Sequence, residues 1–162
     1  MLNAQQQGRI LAQVGPRTLS RLHRDFGTFA HAHQSPPAFA RNGGPWAIWL
    51  ILGGRGAGKT RAGAEWVRGA ALADKDARIA LVGETEHEVR SVMVEGVSGL
   101  LAVHSRDERP QWTPTLRRLE WKNGAVAEVF TAENYEGLRG SDCALASGRG
   151  RSSRPRRGRF AC

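Results

Sequence analysis

The apolar positions fall into short runs of strand length, separated by stretches with helical spacing. Trp46 to Leu52 is an unbroken apolar run, which predicts a buried strand. Arg61 to Leu72 follows, rich in Ala and free of Pro, and predicts a helix. Ala62, Trp66 and Ala70 share one stripe of it, and Arg61 and Glu65 are spaced to pair along its surface. Asp74 to Asp76 is a polar connection. Arg78 to Gly83 is the next apolar run and the second predicted strand. Thr85-x-x-Glu88 has the form of a capping box. Behind it Val89, Val92, Met93, Val97, Leu100 and Leu101 recur at helical spacing, which predicts a helix with these residues in the core. Strand, helix, strand, helix implies an α/β fold with a parallel sheet and right-handed crossovers.

The pattern then changes. Arg106 to Pro114 is polar and bounded by Pro, so a loop is expected. Leu116 to Trp121 and Ala125 to Phe130 are two β-prone runs around Lys122-Asn123-Gly124, and Asn-Gly in that setting predicts a hairpin. Ala132 to Leu138 is polar, a short helix or turn. Leu138-Arg139-Gly140 leads to Asp142 to Ala146, the expected start of another buried strand. From Ser147 to Arg159 there is no apolar side chain, so this basic tail is expected to be disordered. At the other end, residues 1–24 carry only weak helical spacing, broken at Gly15-Pro16. Residues 25–37 hold Phe26, Phe29, His31 and His33. The two histidines have no third ligand close in sequence, which favours a surface loop over a metal site. Three segments result: 1–24, poorly structured; 25–146, an α/β domain with a hairpin insertion; and 147–162, the tail.

The chemistry concentrates between the first strand and the first helix. Gly53-Gly54-Arg55-Gly56-Ala57-Gly58-Lys59-Thr60 satisfies the phosphate-loop pattern G-x-x-x-x-G-K-[ST], with a predicted strand before it and a predicted helix after it. Backbone N–H groups at a helix start are aimed to receive a polyanion. Glycines let that backbone come close and take positive φ. Lys59 would set an ammonium against the β and γ phosphates, and the Thr60 hydroxyl would ligate Mg²⁺. The expected ligands are therefore ATP and Mg²⁺.

Composition bounds the rest. The chain has 162 residues, enough for one domain with its own core. It has no apolar stretch of membrane-spanning length and no secretory leader pattern. Cys143 and Cys162 make neither a disulfide framework nor a metal-ligand spacing, so a reduced, cytoplasmic setting is expected. The net charge is +9, and the tail holds six arginines and no acid, so the remainder carries only +3. The basicity belongs mainly to the tail.

The stretch from about Asp25 to Ala146 resembles the N-terminal part of the large terminase subunit of tailed phages, in the form found in prophages and gene transfer agents. His33-Gln34-Ser35-Pro36-Pro37, the run from Trp49 through the loop to Arg68, Ala80-Leu81-Val82-Gly83, Val92 to Leu101, Arg117-Arg118-Leu119 with Trp121, Asn123-Gly124 and Leu138-Arg139-Gly140 carry the likeness. The resemblance implies a phosphate-loop ATPase that drives double-stranded DNA into a capsid. Its partners would be DNA, a portal, a small terminase subunit and other copies in a ring, with no membrane involved. By position, Gln34 would contact adenine. Gly53, Gly54, Arg55, Gly56, Ala57, Gly58, Lys59 and Thr60 would hold the nucleotide. Arg139, with Arg55 as the alternative, would be an arginine finger.

The pattern then departs from the family. There, the strand after Leu-Arg-Gly ends in Asp and Glu, which hold Mg²⁺ and activate water. Here that register holds Ser147, Gly148 and Arg149, and no acid follows Asp142. The family's nuclease domain is also expected to be missing. The expectation is a fragment that binds nucleotide and hydrolyses it very slowly, with a shifted reading frame near Ser147 preferred over a functional basic tail. Glu84 and Glu95 are weaker substitutes for the missing base. Two other readings stay open: a different small phosphate-loop protein such as a kinase, and a nucleic-acid-binding protein that works through its tail.

Overall fold

In a computed structural model of the chain, the described residues are Gly15, Thr18, 25–131 and, as backbone only, 159–161. Contacts divide the chain into two units, Met1–Ser35 and Pro36–Cys162. In the first, Asp25 caps the short helix α1 (Phe26–Phe29), accepting from the Gly27 N–H at 3.2 Å and the Thr28 hydroxyl at 2.7 Å. A 3₁₀ turn, Ala32–Gln34, follows. His31 and His33 are exposed and stack on each other, with centroids 5.6 Å apart.

The second unit contains β1 (Ile48–Leu50), α2 (Lys59–Ala73), β2 (Arg78–Gly83), α3 (Glu86–Glu88) running into a π-helical turn (Val89–Val94), α4 (Leu100–Val103), β3 (Gln111–Thr113), β4 (Arg118–Glu120) and β5 (Val126–Thr131). A sixth strand, β6, is Arg159–Ala161.

The sheet is mixed, not parallel. Its order is β2-β5-β4-β3; β2 and β5 pair in parallel, with Arg78 opposite Val126 and Gly83 opposite Thr131, and the other two pairs are antiparallel. The hairpin explains the change, because so short a connection can only return its strand antiparallel. Lys122-Asn123-Gly124 forms the loop: the Gly124 N–H donates to the Trp121 carbonyl at 3.0 Å, the Trp121 N–H donates to the Ala125 carbonyl at 3.0 Å, and Gly124 has φ 103°. This is a three-residue hairpin loop with glycine in the left-handed position. Asn123 pins it to the domain, donating from Nδ2 to the Ala71 carbonyl at 2.7 Å.

β1 stands outside that sheet and is shorter than the apolar run that predicts it. It pairs in parallel with β6, Ile48 opposite Arg159. Residues 159–161, within the tail expected to be disordered, thus form a strand beside β1. Trp46 leaves the strand and sits between the rings of Trp49 and Trp66, with centroids 6.5 and 6.3 Å away. This contact ties β1 to α2.

α2, the π turn and α4 cover one face of the four-stranded sheet. Ala64, Val67 and Ala71 from α2 meet Ile79 and Leu81 of β2, Leu119 of β4 and Ala127 and Val129 of β5. Two expectations fail at the edges of this core. The segment after Thr85 is not a continuous α-helix. The Thr85 hydroxyl does accept from the Glu88 N–H at 3.2 Å, but the Glu95 N–H then reaches back to the Arg90 carbonyl at 2.9 Å, a five-residue step. The longer turn moves Val94 into the core and turns Val92 and Val97 outward, whereas Val89 is buried and Met93 and Leu101 half-buried as predicted. In addition, the loop expected over 106–114 contains β3, which pairs with β4 through Trp112 opposite Leu119.

Candidate functional site

The glycine-rich segment lies between β1 and α2, in the order its sequence predicts. Ile51 to Gly54 has no regular structure, Arg55 and Gly56 form a turn, and α2 begins at Lys59. Gly56 and Gly58 have φ of 83° and 75°, where a side chain would be strained. At Gly53, a Cβ would lie 2.8 Å from the Ala57 Cβ, so the loop closes only without one. Gly58 is also the N-cap of α2, and its carbonyl accepts from the Ala62 N–H at 2.9 Å. The first amides of a helix have no carbonyl partner within it, and they face along the axis toward the loop.

Lys59 folds back over this turn. Its ammonium donates to the carbonyls of Gly53 at 2.7 Å and Gly54 at 3.0 Å, which fixes the charge at the mouth of the loop. Thr60, half-buried, follows on the first turn of α2. A groove of about 510 Å³ fronts these residues, with Arg55 to Arg61 on one side and Ser91, Val92 and Gly96-Val97-Ser98 on the other. That volume falls in the range of small-molecule sites.

A charge chain that sequence reasoning only began to see runs away from the groove along α2. Arg61 donates to Glu65 Oε1 from Nε at 2.9 Å and Nη2 at 2.7 Å, which is the predicted pair. The Glu65 side chain is only 7% exposed, and its other oxygen meets Arg68 at 3.5 Å. Arg68 in turn binds Glu108 at 2.7 Å. That hydrogen bond holds the Glu108 carboxyl below its ordinary range, against the opposing effect of burial. Burial opposes the Arg68 charge, yet Glu108 and Glu65 together raise its pKa. The chain ends near His104, which is buried. The Trp121 indole N–H donates to His104 Nε2 at 2.9 Å, so Nδ1 carries the proton and donates to the Leu100 carbonyl at 2.6 Å. Burial lowers the His104 pKa. No local pattern links residues 104 and 121, so only the fold reveals the pair.

The remaining predicted residues are distributed as follows. Arg55 is exposed at the rim of the groove. Gln34 belongs to the first unit, where its Oε1 accepts from the His31 N–H at 2.9 Å. Arg139 and the strand expected at 142–146 lie outside the described residues. Among the described residues, no three His, Cys, Asp or Glu side chains are grouped to hold a metal ion, and no helix is long and apolar enough to cross a membrane.

Fold and site together define an α/β protein whose glycine loop opens the longest helix among the described residues and fronts an open groove. The family described as terminase large subunit, T4-like virus type, N-terminal, matches residues 50–146, more than half of the chain. The chain belongs to that family, and so to the DNA-packaging terminases of phages. No curated protein and no solved structure matches it.

Proposed function

We propose that this chain is the nucleotide-binding, N-terminal portion of an ATP-driven DNA-packaging motor. The observation that carries the reading is the loop at residues 53–60. It has positive-φ glycines where a phosphate must approach closely, a lysine ammonium at its mouth and a helix start behind it. The residue set fits a triphosphate with Mg²⁺. The loop amides and Lys59 would carry the phosphates, and the Thr60 hydroxyl, which lines the groove, would take the metal ion. Bound Mg²⁺ would neutralise charge on the phosphates. The chain's own part is to hold and orient them. Arg139 or Arg55 would act as an arginine finger, and double-stranded DNA, a portal, a small subunit and a ring of copies would be the partners.

Hydrolysis needs an acid to position water and another to hold the metal ion. At the positions where the resemblance places those acids, this sequence holds Ser147, Gly148 and Arg149. The proposal is therefore binding with very slow turnover. Titration with a fluorescent ATP analogue tests it: wild type binds, and Lys59→Ala abolishes binding. Unchanged affinity in Lys59→Ala would overturn the assignment of the loop.

One observation favours a second reading. The six arginines of residues 147–162, with no acid among them, suit nucleic-acid phosphates. This predicts DNA binding that weakens steeply with salt and disappears when residues 147–162 are deleted. Salt-sensitive binding that survives the deletion would exclude the tail.

A further inference from the structure

A second cavity, of about 260 Å³, shares no lining residue with the groove at the glycine loop. Glu86 and Arg90 line it from α3 and the π turn, Trp112 from β3, Pro114 and Arg117 from the turn before β4, and Val129 from β5. Arg117 is held there with backbone strain. Among the described residues it alone, glycines aside, has a positive φ, 51°. The position closes the 3₁₀ turn Pro114–Leu116, and its carbonyl accepts from the Val129 N–H at 2.8 Å, so the bend serves to join β4 to β5. Glycine takes such a bend without strain. Arginine adds the strain and brings a guanidinium to the cavity wall. Strained backbone of this kind clusters at ligand sites.

Both guanidinium groups of the cavity are fixed by an acid at one edge. Arg117 Nη2 meets Glu86 at 2.7 Å. Arg90 Nε donates to Glu95 Oε1 at 3.0 Å, and the same oxygen accepts the Trp112 indole N–H at 3.1 Å. Among the described residues no other acceptor is bonded to either guanidinium. The N–H groups left over suit a carboxylate, which matches the guanidinium fork in shape and charge. Trp112, Pro114 and Val129 set an apolar surface beside them. Two arginines and two glutamates cancel, which gives too weak a field to gather a nucleic-acid backbone with its row of phosphates. The volume lies below the range of small-molecule sites and suits a side chain or two. A carboxylate next to an apolar side chain is the chemistry that fits.

We propose that this cavity docks an acidic segment of a partner protein, with a carboxylate on Arg90 and Arg117 and the adjoining apolar side chain against Trp112. The test follows the Trp112 indole N–H resonance of the isotope-labelled full chain, assigned with Trp112→Phe. The probe is the acetylated, amidated peptide Ala-Glu-Leu-Glu-Ala, with Ala-Gln-Leu-Gln-Ala as its uncharged counterpart. The acidic peptide should shift the resonance saturably, and the glutamine peptide should bind more weakly by about tenfold or more. Arg117→Gly, which the bend accepts, and Arg90→Gln should each weaken the acidic peptide by about tenfold or more, with circular dichroism confirming that both variants fold. No shift with the acidic peptide would overturn the proposal. So would equal binding of the two peptides, or unchanged affinity in either arginine variant. A double-stranded oligonucleotide that shifts the resonance where the acidic peptide does not would give the cavity to nucleic acid, and the proposal would fail.

Discussion

Gly83→Ala is the most direct probe of the packing that sets the groove wall. Gly83 ends β2, and a Cβ built there runs into Val89 Cγ2, with the Val89 Cβ 3.6 Å away and the Met93 sulfur 3.8 Å away. Val89 is fully buried. It also lies at the start of a helical turn, where a β-branched side chain keeps one χ1 rotamer, so it has no easy escape. Over-packing of this kind costs about 1–3 kcal/mol, and the blocked rotamer puts the expected value at about 2–3 kcal/mol. At about 4 °C per kcal/mol, Tm should fall by about 10 °C. Val89→Ala alone removes two buried carbons at about 0.8 kcal/mol each, plus a cavity term, for about 2 kcal/mol in total. The two changes should not add: the new methyl at 83 fills the space that Val89 vacates. Urea unfolding followed by tryptophan fluorescence should give the double variant at least 1.5 kcal/mol more stability than the sum of the singles, within the range seen for residues in contact. Additivity to within about 0.5 kcal/mol would show that Gly83 and Val89 do not press on each other, and the account of how the π turn is seated would be wrong.

Two further outcomes follow from single contacts. His104 has its pKa lowered by burial from an ordinary value of 6.5, so the folded chain binds fewer protons than the unfolded one just below that pH. Stability should hold above pH 6.5 and fall as pH drops from there toward the lowered value; urea midpoints across this range should show the slope, and His104→Gln should flatten it. Asn123→Ala removes the bond to the Ala71 carbonyl and the one the side chain accepts from the Ala125 N–H at 3.2 Å, so a loss of about 1–3 kcal/mol is expected by chemical denaturation, with Asn123→Asp recovering less than half of it.

What was legible in the sequence was what short spacing controls. The helix behind the glycine loop, the Arg61–Glu65 pair and the Asn-Gly hairpin are each written in short, continuous stretches, and each is found. The π turn was not legible, because the valine spacing of 89–101 fits an α-helix and only the close contacts of Gly96 and Gly99 break it. β3 was hidden in a polar, Pro-bounded stretch, since an edge strand of three residues is defined by its partner more than by its composition. The tie between Trp121 and His104, and the reach of Arg68 to Glu108, depend on α2, α4 and the hairpin arriving at the same place. Gln34 and Arg139 came from resemblance alone, and Arg139 lies outside the described residues.

The same division between local and distant determinants separates binding from turnover. In the proposed reading, phosphate affinity would draw on eight consecutive residues and the helix they open, and would need only that β1 and α2 be held together, here by the Trp46 contact with Trp49 and Trp66. Turnover needs a carboxylate brought to the γ-phosphate from another strand, and positioning of that kind is most of the catalysis. In this sequence the register that the resemblance implies for those acids carries Ser147, Gly148 and Arg149. The two activities should therefore come apart. ATP should bind in a Lys59-dependent way, while phosphate release, followed by a coupled optical assay at saturating ATP, stays at the level of the Lys59→Ala variant. Release well above that level would mean that a carboxylate elsewhere serves as base. Glu84, immediately after β2, and Glu95, next to the groove wall, would be the ones to replace with glutamine. Loss of release in one of these variants would assign the base to that carboxylate, a role the 147–149 register does not fill.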